Sequence, residues 1–229
     1  MNPNITVKPR KPFVPELQKP NEAKEIYYPE SEKKVMGETD FHFQQIKLLS
    51  DLLEQFFADR KDVYVSSDIM FYYEEGNPRR RFAPDVMVCF GLENKKRRSY
   101  KLWEEKVVPA VIIEIASNET WEKDVTIKRR LYERLGVKEF YVFDAEYSYL
   151  PLPLMAYRLE FGELVRQSII ENRVLSASLG LEFVDTGENL RLFNPHTNKM
   201  LPTPAELTQA AAENEQLKAE IKRLKNEKR

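Results

Sequence analysis

Three charged residues stand where apolar ones belong. Glu114 interrupts the run Ala110-Val111-Ile112-Ile113-Glu114-Ile115-Ala116, and Asp85 follows Pro84 directly ahead of the apolar stretch Val86 to Phe90. Lys128 falls near the centre of a stripe that Trp121, Val125, Leu131, Tyr132 and Leu135 form at helical spacing, with Asp124 at its margin. A charge facing a core must be paired or must shift its pKa, because desolvating an unpaired ion is costly. An Asp124 to Lys128 pair at i,i+4, worth about 0.2–0.5 kcal/mol on a helix, would explain the two only if both lay on the solvated face. Asp85 after a proline is also compatible with a simple turn, whereas Glu114 in mid-strand has no such account. Two carboxylates and a lysine converging at one end of a sheet could hold a divalent metal and an activated water. The carboxylates offer hard oxygen ligands, and the lysine would orient the water or offset developing charge.

The elements that must position these residues are legible as patterns. Ile46, Leu49, Leu53 and Phe56 predict a helix from Thr39 to Phe57 with Thr39 as its N-cap. His42 lies in the centre of that apolar stripe, and Glu38 lies one turn earlier on the same side. By the usual occupancy of interiors His42 is a core residue first and a ligand second, while Glu38 could complete a metal shell through water. Val63 to Tyr73 reads as one strand ending at the turn Glu75-Gly76-Asn77-Pro78, and with the strand from Pro84 to Phe90 it should form a hairpin. The apolar strand carrying Glu114, a helix from Trp121 to Leu135 stopped by Gly136, and a strand from Lys138 to Phe143 make a crossover with parallel pairing. Met155 to Phe161, Leu164 to Ile170, Leu179 to Val184 and Leu190 to Phe193 predict short antiparallel strands. The fold class is therefore α/β, a mixed sheet flanked by helices.

The composition narrows the function. With 36 Lys plus Arg against 37 Asp plus Glu, the formal charge of -1 excludes a histone-like polycation, so nucleic-acid binding would have to rest on local clusters. Two exist, Arg79-Arg80-Arg81 in the hairpin turn and Lys95-Lys96-Arg97-Arg98 in the next loop, with Tyr100 and Trp103 near enough to add stacking. Such runs serve equally well as solvated surface. The single cysteine, Cys89, allows neither an intrachain disulfide nor a thiolate metal cluster and points to a reducing compartment. No apolar run approaches a membrane span and the start lacks a signal-peptide core, so a soluble cytoplasmic protein is expected. Residues 1–25, with five prolines by Pro20, read as a flexible arm, and 26–200 as the folded domain. From 204 to 229, Leu207, Ala210, Asn214, Leu217, Ile221, Leu224 and Lys228 step by three and four, a heptad seam that predicts a coiled-coil homodimer. No Gly-rich phosphate loop, nucleophilic triad or zinc spacing is present.

Pro84-Asp85, Glu114-Ile115-Ala116-Ser117, Asp124 with Lys128 and Tyr132, and Gly136-Val137-Lys138-Glu139-Phe140-Tyr141 with Asp144 occur in that order. Upstream stand Tyr27-Tyr28-Pro29-Glu30-Ser31, Gly37-Glu38-Thr39-Asp40 and Tyr72-Tyr73-Glu74-Glu75-Gly76. Together, from about residue 26 onward, they resemble the Uma-type restriction endonuclease family of the PD-(D/E)XK nuclease superfamily. Each short motif is weak alone, and their order and spacing are specific. The resemblance implies a four-stranded mixed sheet flanked by helices. Asp85, Glu114 and the main-chain carbonyl of Ile115 would be ligands for Mg²⁺, or Mn²⁺ in its place, and the activity would be hydrolysis of DNA, with RNA not excluded. The superfamily pattern has lysine two positions after the glutamate, where this chain has Ala116, so Lys128 would be the migrated replacement. A nuclease-fold dimer that binds nucleic acid or protein without cleaving is the alternative, and Ala116 and the C-terminal seam both favour it somewhat.

Overall fold

The computed structural model describes residues 26–30 and 39–227. The Pro-rich arm, Glu38 and Lys228 lie outside the described residues. Helix α1 (Asp40–Phe56) begins where the sequence predicts, with the Thr39 side chain accepting the His42 backbone N–H at 3.3 Å. Its buried face, Leu49, Leu52 and Leu53, packs on one side of a mixed sheet.

The predicted hairpin forms, but its first arm breaks in two. Strand β1 (Val63–Ser66) is followed by β2 (Phe71–Tyr72), with Asp68 between them at φ 49° and its N–H donated to the Pro84 carbonyl. The returning arm divides likewise into β3 (Arg81–Phe82) and β4 (Val86–Phe90). β1 pairs with β4 in the main sheet, while β2 pairs with β3 and with β5 (Tyr100–Lys101) in a small sheet of its own. The positive φ is the reason: two β-rich segments are extended, but the residue joining them turns the chain out of the plane. Short helix α2 (Leu102–Glu105) follows, then β6 (Val111–Ile115).

From β6 the chain crosses over through α3 (Trp121–Lys123), a π turn (Asp124–Lys128) and α4 (Arg129–Leu135) into β7 (Glu139–Phe143), which lies parallel to β6 with Ile113 opposite Tyr141. Gly136 closes α4 at φ 83°, in the left-handed region that a helix stop requires. The uniform helix expected over this stretch is thus interrupted. β8 (Leu154–Glu160) and β9 (Glu163–Arg166) complete the sheet in the order β1-β4-β6-β7-β8-β9, six strands rather than the four that the resemblance implied.

A second antiparallel sheet comprises β10 (Arg173–Ser176), β11 (Leu181–Asp185), β12 (Leu190–Asn194) and β13 (Lys199–Met200). It covers α1 from the far side. The buried Gln45 amide donates to the Leu190 carbonyl at 3.0 Å and accepts the Leu190 N–H at 3.1 Å, pinning α1 to β12 with both of its polar ends satisfied. Alternation along the strands separates two cores. Val86, Val88, Val111, Ile113 and Ile115 face α1, and Met87, Cys89, Ile112, Phe140 and Val142 face α4 and the small sheet. Helix α5 (Pro204–Glu227) starts on a capping box, in which Thr203 N–H donates to Glu206 Oε2 at 2.7 Å and Glu206 N–H to Thr203 Oγ1 at 3.1 Å. All its described side chains are exposed. No helix among the described residues is long and apolar enough to cross a membrane.

Candidate active site

β4 and β6 run antiparallel with Val86 opposite Ile113, so the register sets Asp85 opposite Glu114 at one end of the pair. Strand alternation turns Glu114 to the same face as Ile112, toward the interrupted helix, and buries it completely. Asp85, just before β4, accepts the Ile115 N–H at 2.6 Å through Oδ2, and that oxygen lies 3.5 Å from Nε2 of the buried His42. The end of β6 is therefore held by the carboxylate that faces it.

The helix supplies the rest. Lys128 Nζ lies 2.8 Å from Glu114 Oε2 and 2.8 Å from Asp124 Oδ1, and the Tyr132 hydroxyl donates to Glu114 Oε1. Asp124 is fully buried, deeper than the margin that an even helical period assigns to it. The π turn accounts for this. The Arg129 N–H reaches back five residues to the Asp124 carbonyl, and a turn closed in that way takes more residues to complete its circuit. Lys128 consequently reaches Glu114, and Asp124 turns inward to pair with the same ammonium. The i,i+4 pair exists, but it faces inward and shares its lysine with the strand.

Three carboxylates and one ammonium in one desolvated space cannot all sit at their ordinary pKa values. Burial, reinforced by Asp85 and Asp124, pushes the Glu114 carboxyl up to about 8 from 4.5, although Lys128 works against the shift. Asp124 is raised as well, chiefly by burial. For Lys128, burial opposes the charge, yet Glu114, Asp124 and Asp85 outweigh it and keep the ammonium protonated above its usual range. Burial and the adjacent Glu114 raise the Tyr132 phenol, which stays a hydrogen-bond donor.

This donor set suits a hard divalent cation. Asp85 and Glu114 offer carboxylate oxygens from facing register positions, and the Ile115 carbonyl lies on the same strand end. Among the described residues no group of three or more His, Cys, Asp or Glu side chains could hold a metal by itself. A metal here would keep water or substrate oxygens in much of its shell, which is the habit of Mg²⁺. It would also have to share Glu114 with Lys128.

The basic runs are only partly available. Arg79, Arg80, Lys95, Lys96 and Arg98 are exposed, although Arg80 lies 3.5 Å from Glu74, Lys95 3.3 Å from Glu93 and Arg98 3.2 Å from Glu30. Arg81 is half-buried and donates to the Pro78 carbonyl at 2.8 Å. Arg97 is taken out of the loop surface altogether. Its guanidinium binds both oxygens of Glu105 at 2.7 and 3.0 Å and lies 4.3 Å over the Tyr64 ring, which makes it a structural anchor. Tyr100 is buried, with its hydroxyl donated to the Val107 carbonyl at 2.6 Å, and cannot stack on a ligand; Trp103 packs on Tyr28.

Sequence reasoning named Asp144 within the family pattern but gave it no role; it is buried directly after β7, the strand beside the one that carries Glu114. It accepts backbone N–H groups from Glu146, Ser148, Tyr149 and Leu150 at 2.6 to 3.1 Å and so shapes the loop at this end of the sheet. That loop returns Glu146 to Thr39, whose hydroxyl donates to it at 2.9 Å. An aspartate closing an apolar strand ahead of a polar turn was the available signal.

None of the curated proteins matches the sequence. Among solved structures, the chain is similar to "a putative nuclease belonging to DUF820" from Anabaena variabilis, at 14% identity and a TM-score of 0.48, over 64% of this chain and 76% of that one. The Uma2 family, described as "Putative restriction endonuclease", matches residues 16–187, a span that runs from before the first described residue through α1, both acid-bearing strand ends, the interrupted helix and the first two strands of the second sheet. With well over half of its length matched, the chain belongs to the Uma2 family of restriction-endonuclease-type proteins.

Proposed function

We propose that this protein is a Mg²⁺-dependent endonuclease, with Mn²⁺ able to substitute, that hydrolyses phosphodiester bonds of DNA at Asp85, Glu114 and Lys128. The observation that carries the reading is the placement of Lys128 Nζ 2.8 Å from Glu114 Oε2, with Asp85 opposite Glu114 on the neighbouring strand. Ala116 leaves the usual lysine position empty, and Lys128 brings an ammonium to the same carboxylate from the helix. A divalent metal bound by Asp85, Glu114 and the Ile115 carbonyl would polarise the phosphate and lower the pKa of a bound water. Lys128 orients that water or offsets charge on the phosphate, and Asp124 holds the lysine in place. Tyr132 fixes one oxygen of Glu114, leaving the other to Lys128. His42 supports Asp85. Arg79, Arg80, Arg81, Lys95, Lys96 and Arg98 contribute phosphate contacts.

The protein works in the reducing cytoplasm, in keeping with its one buried free cysteine, and as a homodimer through α5. A second reading has one specific observation in its favour: Lys128 spans Glu114 and Asp124 directly, where a metal would compete with it. A chain of that kind would bind nucleic acid or protein without cutting. Supercoiled plasmid incubated with Mg²⁺ or Mn²⁺ separates the two. The endonuclease reading expects nicking that EDTA abolishes and that Asp85→Ala and Glu114→Ala each reduce by more than about 100-fold, both variants keeping a folded circular-dichroism spectrum. Absence of metal-dependent nicking in the wild type would leave the binding module.

A further inference from the structure

Three large exposed apolar side chains stand next in the chain to residues of the acidic site. On α1, His42 turns inward to Asp85, and Phe41 and Phe43, one step either way and about 100° round the helix, flank it with 63% and 60% of their surface exposed. On the π turn, Ile127 precedes Lys128 and is 66% exposed. Both elements that reach the carboxylates therefore present apolar surface to water within one residue of the group that reaches them. A chain of this size has surface enough for scattered apolar residues, but each of these three is the immediate chain neighbour of a residue in one small polar cluster, Phe41 and Phe43 of His42 and Ile127 of Lys128.

We infer that Phe41, Phe43 and Ile127 contact the bases of an unpaired nucleic-acid strand whose phosphate lies at Asp85 and Glu114. The inference rests on the nuclease reading and deepens it by naming the substrate class. Aromatic faces gain from bases only where those bases are unstacked, since a duplex hides them. An exposed aliphatic side chain beside them acts as a wedge that keeps the step open. Charge points the same way. The cluster at the site is acidic, and Arg80, Lys95 and Arg98 each have a carboxylate within 3.5 Å, so phosphate attraction is partly offset and base contacts must carry more of the affinity.

The test uses the full chain in EDTA, which prevents cleavage. Binding of a fluorescein-labelled single-stranded oligodeoxynucleotide and of its duplex is followed by anisotropy. The single strand is expected to bind about tenfold or more tightly than the duplex, and Phe41→Ala, Phe43→Ala and Ile127→Ala are each expected to lower single-strand affinity about fivefold or more. Phe161→Ala serves as the control. It removes a fully exposed phenylalanine from the β8–β9 turn, beyond the Glu139 end of β7 and so at the opposite end of the sheet, and it should bind as the wild type does. Equal affinity for both forms, or site variants that bind like the control, would overturn the inference while plasmid nicking could still uphold the nuclease. Loss of single-strand affinity in the variants without any metal-dependent nicking would uphold the base contacts and sink the nuclease. If the variants change the sedimentation of the free protein and leave oligonucleotide affinity alone, a second copy covers this surface and the inference fails.

Discussion

Burial and two neighbouring carboxylates oppose a charge on Glu114, and that opposition has a measurable pH signature. Its folded pKa, about 8, lies above the ordinary 4.5, so between those values the folded state holds a proton that the unfolded state has released. Stability without metal should therefore fall as pH rises through that window. Asp124, also raised, acts in the same direction. Lys128 adds stability that is lost only above its ordinary 10.5, outside the window. The thermal midpoint in EDTA should be higher near pH 6 than near pH 8, Glu114→Gln should flatten the slope, and added Mg²⁺ should stabilise more at the higher pH because the metal requires the ionised carboxylate. A midpoint that rises with pH would contradict the buried-acid cluster. Lys128→Ala removes the basic group that pairs with both Glu114 and Asp124, which should cost about 3–5 kcal/mol near pH 8 and less in acid, where the carboxyls protonate. Its cleavage rate should fall by more than about 100-fold, while calorimetry should show Mn²⁺ affinity retained or raised. Wild-type cleavage by Lys128→Ala would show that the lysine has no part in the reaction. Glu114, Asp85 and Lys128 were legible in the sequence because each breaks an apolar pattern. Arg97 was not, since nothing in a run of four basic residues marks the one that folds back onto Tyr64 and Glu105.

Among the elements, α1 was readable almost to the residue because its cap and its apolar period agree. The interrupted helix was readable in extent and not in phase. An even 100° step spreads one extra residue over fifteen as a slight rotation, so the stripe survived and the π turn did not show. The same smoothing hid the break between β1 and β2, although Ser66-Ser67-Asp68 is a plausible turn within an otherwise β-rich run. β3, β5 and β13 have two residues each, too short to register as patterns. The π turn is where function should be most sensitive. Deleting Thr126, an exposed residue within it, should relax the segment toward an ordinary helix and break the Asp124–Lys128–Glu114 chain of contacts. The thermal midpoint should change little, and metal-dependent cleavage should fall by more than about 100-fold. Full activity in the deletion variant would mean that the turn does not position the lysine.

For the whole molecule, the order of α1, hairpin, crossover and antiparallel strands followed from periodicity, but the number of strands in the main sheet did not. β8 and β9 were recognisable as strands, yet which sheet they join depends on partners distant in sequence. Helix α5 formed as expected, and its Leu207, Leu217, Ile221 and Leu224 are about half exposed along the predicted seam. With Asn214 and Ile221 at a and Leu217 and Leu224 at d, that seam favours two parallel strands, though about three heptads would make it marginal alone. The capping box and the pairing of Arg191 with both oxygens of Glu206, at 3.3 and 3.0 Å, fix the helix's exit from the domain. Sedimentation of the full chain at about micromolar concentration should give a dimer, and of a chain truncated after Pro204 a monomer. Two monomers would remove the parallel coiled coil from the account.

The central claim is that Asp85 and Glu114 hold a catalytic metal beside Lys128, and a Mn²⁺ soak of crystals of the full chain tests it without reference to substrate. The account requires an anomalous peak between the two carboxylates, at about 2.0–2.3 Å from an oxygen of each, with Lys128 still adjacent to the site. A site without such a peak, in which Lys128 continues to span Glu114 and Asp124, would contradict it.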